Sequence, residues 1–322
     1  MRGRDFELLL IVIGILSARA FAQAAPPPDS LLPASRAPSS YDVAEASTGT
    51  FSARVREVNV LFSVSDWRGH FVSNLTSSDI KVLDNGQPPE SLTYFLQQSD
   101  LPLRIGLLID VSGSVETFFR AQQRAAAIFL QQTLRPSDAA TLMSFGGESR
   151  VVQDFTSNLE SLTKAVHGLS AGEPSTAIYD AVSRSCARLS SDAESALARR
   201  VLILITDGEE NSSHLGIEDA INAALQSDVI VFALNTSPVR VLSVEAMLGK
   251  LTKSTGGGVL HANGARELKW AFRKINEQLR NQYLLGYKPP HWQADHSFHR
   301  IGVTAQHRGL HIRCRKGYYA IE

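Results

Sequence analysis

Short, continuous apolar runs alternate along the middle of this chain with longer stretches whose apolar positions recur at helical spacing. Leu103–Ile109, Ala140–Phe145, Val201–Ile205 and Val229–Leu234 read as strands, the continuous runs as strands buried on both faces, the mark of a parallel sheet. Val151–Phe155 reads as a strand paired with Ala140–Phe145 around Gly146-Gly147. Val115–Leu134, Leu159–Leu169, Ile178–Leu189, Gly216–Gln226, Val244–Lys253 and Ala265–Leu279 read as helices. The alternation predicts an α/β domain over residues 100–281, a doubly wound, mostly parallel sheet covered by helices. Gly256-Gly257-Gly258 reads as a turn leading into an edge strand at Val259–His261.

The flanks change period. Val55–Val64 is strand-forming, Asp66–Gly69 reads as a turn, and Ile80–Gln87 carries Asn85-Gly86, a hairpin signal. Gln282–Tyr287, His299–Thr304 and Leu310–Cys314 are also strand-like, interrupted by Pro289-Pro290 and Arg308-Gly309. An N-terminal β region over 51–99 and a C-terminal β segment over 282–322 are expected. The N-terminal strands are too few to be stable alone, so the two flanks either join in one discontinuous β unit or extend the central sheet. The pattern leaves both arrangements open.

Ahead of these elements, Arg2 and Arg4 precede the apolar stretch Leu8–Leu16, and Ala22-Gln23-Ala24 offers a small-x-small cleavage site. Residues 1–24 are therefore expected to be a signal peptide cleaved after Ala24, making the protein periplasmic or secreted. Asp5 and Glu7 dilute the positive start, so an uncleaved N-terminal membrane anchor is the alternative, with an apolar run short for a full span. Residues 25–50, rich in Pro, Ala and Ser, have the composition of a linker.

Composition narrows the function classes. With 322 residues, 43% hydrophobic and 20% charged, the chain can bury a large core. Lys plus Arg equals Asp plus Glu, so no net field draws it to nucleic acid. Cys186 falls in a helical pattern and Cys314 in a strand-like one; an oxidising compartment permits a bridge, and two separate buried thiols are the other reading.

The chemistry concentrates in three segments: Asp110-Val111-Ser112-Gly113-Ser114 directly after Leu103–Ile109, then Ser175-Thr176, then Asp207-Gly208 after Val201–Ile205. In an open parallel sheet, loops beyond the carboxyl ends of strands share one site where the strand order reverses. Two carboxylates and three hydroxyls would then face one point. That donor set matches the oxygen preference of Mg2+, which is usually held by one or two carboxylates. The competing reading is a simple turn in which Ser114 or a neighbour caps the following helix.

At these residues the sequence resembles the von Willebrand factor type A (VWA) family, whose metal-ion-dependent adhesion site runs Asp-x-Ser-x-Ser, then Thr, then Asp. The resemblance implies a Rossmann-like fold over roughly 102–281 and a metal site made by Asp110, Ser112, Ser114, Thr176 and Asp207. In the family the serines and threonine bind the ion directly, the aspartates directly or through water, and an acidic side chain of the partner completes the shell. Mg2+ is implied, with Mn2+ or Ca2+ as alternatives. The flanks, with Val58-Asn59-Val60, Val82–Gly86, Gln282–Tyr287 and Arg315–Tyr319, resemble a VWA-related group of exported proteins abundant in acidobacteria.

Other constellations read more plainly. The glycine run at Gly256 lacks the spacing of a nucleotide loop. His291, His296, His299, His307 and His311 match no zinc pattern and read as solvated imidazoles. Glu209, Glu210 and Asn211 either tune the site or cap the next helix, and Asn211-Ser212-Ser213 favours capping. Arg266, Lys269, Arg273, Lys274 and Arg280 read as a solvated basic face. There is no Gly-x-Ser-x-Gly elbow, and Ser112 and Ser114 have no recognisable base, so no enzyme is expected. The expected function is metal-dependent capture of an Asp or Glu of a protein partner. The alternative is a structural or chaperone-like subunit of an envelope assembly that docks through its β flanks.

Overall fold

The computed structural model describes residues 57–98, 101–191, 198–290 and 292–320. The expected signal peptide over 1–24 and linker over 25–50 lie outside the described residues, as does His291. In chain order the elements are β1 (Val58–Ser65), β2 (Ile80–Asp84), β3 (Ser91–Gln98), β4 (Leu103–Asp110), α1 (Phe119–Thr133), β5 (Ala139–Phe145), β6 (Ser149–Thr156), α2 (Leu159–His167) and α3 (Ile178–Ser190). They continue with β7 (Arg199–Thr206), α4 (Ile217–Gln226), β8 (Val229–Asn235), α5 (Leu242–Thr255), β9 (Val259–His261) and α6 (Ala265–Arg280). The chain closes with β10 (Gln282–Lys288), β11 (Phe298–Ala305), β12 (His311–Cys314) and β13 (Gly317–Tyr319).

The central sheet has the order β6-β5-β4-β7-β8-β9. All its pairings are parallel except β5 with β6. Every residue of β4 and β8 is buried, because helices cover both faces of the sheet. One face packs on α1, α2 and α6 through Phe129, Leu130, Leu162, Phe272 and Ile275, with Phe129 and Phe272 stacked at 4.5 Å. The other packs on α3, α4 and α5 through Val182, Ile221, Leu225, Leu248 and Leu251. From β4 the chain first builds outward to β5 and β6, then returns to build β7, β8 and β9 on the other side. The order therefore reverses between β4 and β7, the position beyond the strand ends where open α/β sheets bind their ligands.

The two flanks join in one discontinuous β unit and do not extend the central sheet. One sheet has the order β12-β1-β10-β3, the other β13-β11-β2. They enclose Val58, Val60, Phe62, Ile80, Val82, Tyr283, Leu285, Tyr287 and Ile301. Buried Asp84 is the polar hub of this unit: it accepts from Tyr287 (2.7 Å) and Tyr318 (2.8 Å), and His299 Nδ1 lies 2.9 Å away. His299 is thus a buried partner of a carboxylate, not a solvated imidazole. Asn85 and Gly86 form the expected turn, with φ of 49° and 83°. It does not make a β2–β3 hairpin, because β2 pairs with β11 and β3 with β10. Pro88-Pro89 lacks the N–H groups to continue a ladder, and the chain crosses to the other sheet.

The β unit is clamped to the α/β lobe. The Arg315 guanidinium donates to Asp228 (2.6 Å) and to the Asn59 carbonyl (2.7 Å), and the Tyr319 hydroxyl donates to Asn222 (2.7 Å). Gly256 ends α5 at φ 89°, and a Cβ there would lie 2.9 Å from the Arg315 nitrogen and the Cys314 carbonyl carbon. The glycine run is therefore a turn before an edge strand and also the seat of the C-terminal strands. Arg280 departs from the solvated basic face expected of α6, since it pairs with buried Asp138 and donates to the Thr133 carbonyl at 3.0 Å. Cys186 and Cys314 are both free thiols.

Candidate metal centre

Asp110 is the last residue of β4, and Asp207 follows directly on β7, so the order reversal sets their loops side by side. Asp110 is fully buried. Its Oδ2 accepts from the Thr206 hydroxyl (2.6 Å) and its Oδ1 from the Ser112 backbone N–H (2.9 Å). The Ser112 and Ser114 hydroxyls lie 3.1 Å apart, with Ser112 buried and Ser114 exposed. After Ser112 the chain makes a tight 3-10 turn over Gly113–Phe118 before α1 begins. The Asp110–Ser114 segment is thus held at the strand end, and the helix expected from Val115 starts later.

Thr176 comes to the same end through backbone ties. The Gly113 N–H donates to the Glu173 carbonyl (2.8 Å), joining the Thr176 loop to the Asp110 loop. On the other side the Asn211 side chain accepts from the Thr176 N–H (2.9 Å), and the Asn211 N–H returns a bond to the Thr176 carbonyl (3.1 Å). Glu210 Oε2 accepts from the Ile178 N–H (2.6 Å) at the start of α3, where a carboxylate also complements the helix dipole. Glu210 therefore does cap a helix, together with Ser213, whose hydroxyl accepts from the Tyr179 N–H (3.0 Å), but it is α3 and not the following α4, whose first N–H groups donate to the Gly216 carbonyl. This lock fixes Thr176 relative to Asp207.

Three contributors were not legible in the sequence. Thr206 looked like one more strand residue, yet its hydroxyl orients Asp110 and accepts from the Gly208 N–H (2.9 Å). Gly146 sits so close to Glu173 that a Cβ would overlap that side chain, which lets the Thr176 loop approach β5. Gly208 likewise leaves room for Val244 of α5 beside the Asp207 loop. Only the position of Thr206 directly before Asp207 hinted at a role.

The electrostatics favour an added cation. Burial lifts the Asp110 carboxyl to about 6, opposed by hydrogen bonds from Thr206 and Ser112 and reinforced by the negative charge of Asp207. Among the described residues, the hydrogen bonds and charges that act on Asp110 come from Thr206, Ser112 and Asp207, and none is a basic side chain. A buried carboxylate without a cationic partner is costly. Two carboxylates and three hydroxyls supply only hard oxygen donors, which fit Mg2+ or Mn2+ better than a soft or nitrogen-seeking ion. Among the described residues no group of three or more His, Cys, Asp or Glu side chains is placed to hold a metal; a cation here would need the hydroxyls as ligands.

Residues 105–210, from β4 to the loop after β7, match the von Willebrand factor type A domain family. Within the central lobe, residues 105–210 are VWA sequence. Among solved structures, the conserved hypothetical protein BatB from Bacteroides thetaiotaomicron is 18% identical with a TM-score of 0.46, covering 56% of this chain and 100% of that one. A von Willebrand factor type A protein from Catenulispora acidiphila is 14% identical with a TM-score of 0.48, covering 84% of this chain and 75% of that one. The PilB minor pilin from Streptococcus sanguinis is 13% identical with a TM-score of 0.46, covering 61% and 63%. No curated protein matches the chain significantly in sequence. The VWA match ends at Glu210, so it includes all five predicted ligands and none of the β unit.

Proposed function

We propose that this chain is an exported protein-binding module of the adhesion type, not an enzyme, whose VWA lobe captures an acidic residue of a partner protein. Asp110, Ser112, Ser114, Thr176 and Asp207 would hold a divalent cation, Mg2+ first and Mn2+ or Ca2+ as substitutes, which supplies a coordination position for the partner's Asp or Glu. The observation that carries this reading is buried Asp110, without a basic partner among the described residues, beside a hydroxyl cluster at the point where the sheet order reverses. The rest of the chain's contribution is positional. Thr206 and the Ser112 N–H orient Asp110, while Glu210 and Asn211 hold the Thr176 segment against the Asp207 loop. Three of the five ligands are neutral hydroxyls, so where an aspartate acts through water the carboxylates directly on the ion number fewer than two and positive charge remains there for an incoming anion. Export rests on Arg2, Arg4, Leu8–Leu16 and Ala22-Gln23-Ala24.

The test is affinity capture from envelope and secreted fractions with the mature chain, in Mg2+, in EDTA, and with folded Asp110→Ala. Loss of the partner in both controls is expected. Retention in both would move the function to the β unit. One observation favours that second reading, a subunit of an envelope assembly: β3 is an edge strand without a charged residue, open to pairing with another chain.

A further inference from the structure

Between the VWA lobe and the β unit lies a cleft of about 680 Å³ that shares no residue with the metal centre. Its size is that of a small-molecule site, and such sites favour junctions between lobes. Ile221 and Leu225 of α4 and Ile301 of β11, all buried, line it. Phe298 and Tyr319 form an aromatic pair at 5.3 Å, with Phe298 41% exposed.

The polar groups are unequal in sign. Lys250 is paired with Glu218 across the helices. Arg300 and Lys316, on the β-unit side, are exposed and have no ion pair among the described residues. The Asn222 side-chain oxygen is used by the Tyr319 hydroxyl, which leaves the amide N–H groups as donors. The cleft therefore offers two cations and amide donors beside an apolar, partly aromatic lining, with its acid already neutralised. A surface built only to seal the lobes together would not leave two cations and an aromatic ring uncovered. The lobes are already joined by Arg315, by Tyr319 and by the bond from the Lys316 N–H to the Ser254 carbonyl (2.9 Å).

We propose that this cleft is a second binding site, for a small aromatic carboxylate whose ring lies against Phe298 and Tyr319 and whose anion is received by Arg300 and Lys316. Charge-assisted bonds to a carboxylate supply orientation, and the aromatic contacts supply area. The proposal is independent of the metal reading.

The test titrates the full chain by calorimetry with three probes: 2-naphthoate, its neutral analogue 2-naphthalenemethanol, and acetate. Saturable binding of 2-naphthoate is expected, about tenfold or more tighter than either other probe. The double variant Arg300→Glu with Lys316→Glu should lose it, and Phe298→Ser should weaken it. The exposed α6 pair Arg266→Glu with Lys269→Glu, an equal change in net charge, should leave it intact. Each cleft variant is first checked for an unchanged melting temperature; if the double variant melts early, Arg300→Gln alone replaces it. Absence of saturable binding at millimolar probe, equal binding of the neutral analogue, or equal loss in the α6 control overturns the proposal.

Discussion

At the scale of single residues, the proposed metal centre would depend on side chains whose roles differ sharply in legibility. Asp110 and Asp207 stand at strand ends, which continuous apolar runs mark in the sequence, whereas Thr176 lies between α2 and α3 and was singled out by its resemblance to the family pattern. Thr206 was not, since a threonine at a strand end is ordinary β chemistry until its hydroxyl is seen on Asp110. Thr206→Val keeps the shape and removes that bond. We expect it to weaken cation binding with a stability change within about 1–3 kcal/mol, as measured by Mn2+ titration alongside thermal melting. The thiols make a separate prediction. Burial pushes Cys186 up to about 12 and Cys314 up to about 11, so both stay protonated and unreactive near neutrality. Native protein should resist iodoacetamide, and denaturation should expose both; rapid labelling of folded protein would contradict their placement.

Among elements, the informative cases are those where periodicity was silent. β3 escaped notice because Ser91–Gln98 lacks a clean alternation, and its partner β10 lies far along the chain. The Asn85-Gly86 turn was read correctly as a turn, yet hairpin chemistry cannot foresee that Pro88-Pro89 diverts the next strand to another sheet. His299 departs from the solvated reading for the same reason, since it meets Asp84 only through the β2–β11 pairing, whereas His296, His307 and His311 are exposed as expected. Burial and the Asp84 carboxylate push the hydroxyls of Tyr287 and Tyr318 upward from their ordinary value of 10.0. The folded state therefore retains these protons where the unfolded chain releases them. Their contribution to stability is complete below about pH 10 and is lost as the pH rises beyond it. Tyr287→Phe and Tyr318→Phe should each cost about 1.5–3 kcal/mol at neutral pH, because each removes a hydrogen bond to a charged group. Urea unfolding at pH 7 and above pH 10 checks both statements. At the glycine seat, a Cβ on Gly257 would overlap the Val231 carbonyl. Gly257→Ala should destabilise by more than about 2 kcal/mol, and a neutral result in the same urea assay would refute the close approach.

Over the whole molecule, the VWA lobe was legible as a contiguous alternation, whereas the β unit is assembled from both ends of the described chain. Sequence could list its strands but not choose between one unit and an extended central sheet, because pairing partners hundreds of residues apart leave no local pattern. The topology makes a clear demand: β10 lies between β1 and β3, so both its neighbours come from the N-terminal flank. Deleting residues 57–98 should leave Tyr283, Leu285 and Tyr287 uncovered and yield an aggregating chain by size-exclusion chromatography. A monomeric, cooperatively melting product would show that the lobe does not need its flank.

The central claim is that a divalent cation is held where the sheet order reverses, and the most direct measurement is Mn2+ binding followed by electron paramagnetic resonance. The account predicts a single saturable site, displaced by Mg2+ and lost together in Asp110→Ala, Thr176→Ala and Asp207→Ala variants that remain folded. No saturable binding by the folded parent chain, or binding that survives all three substitutions, would contradict it.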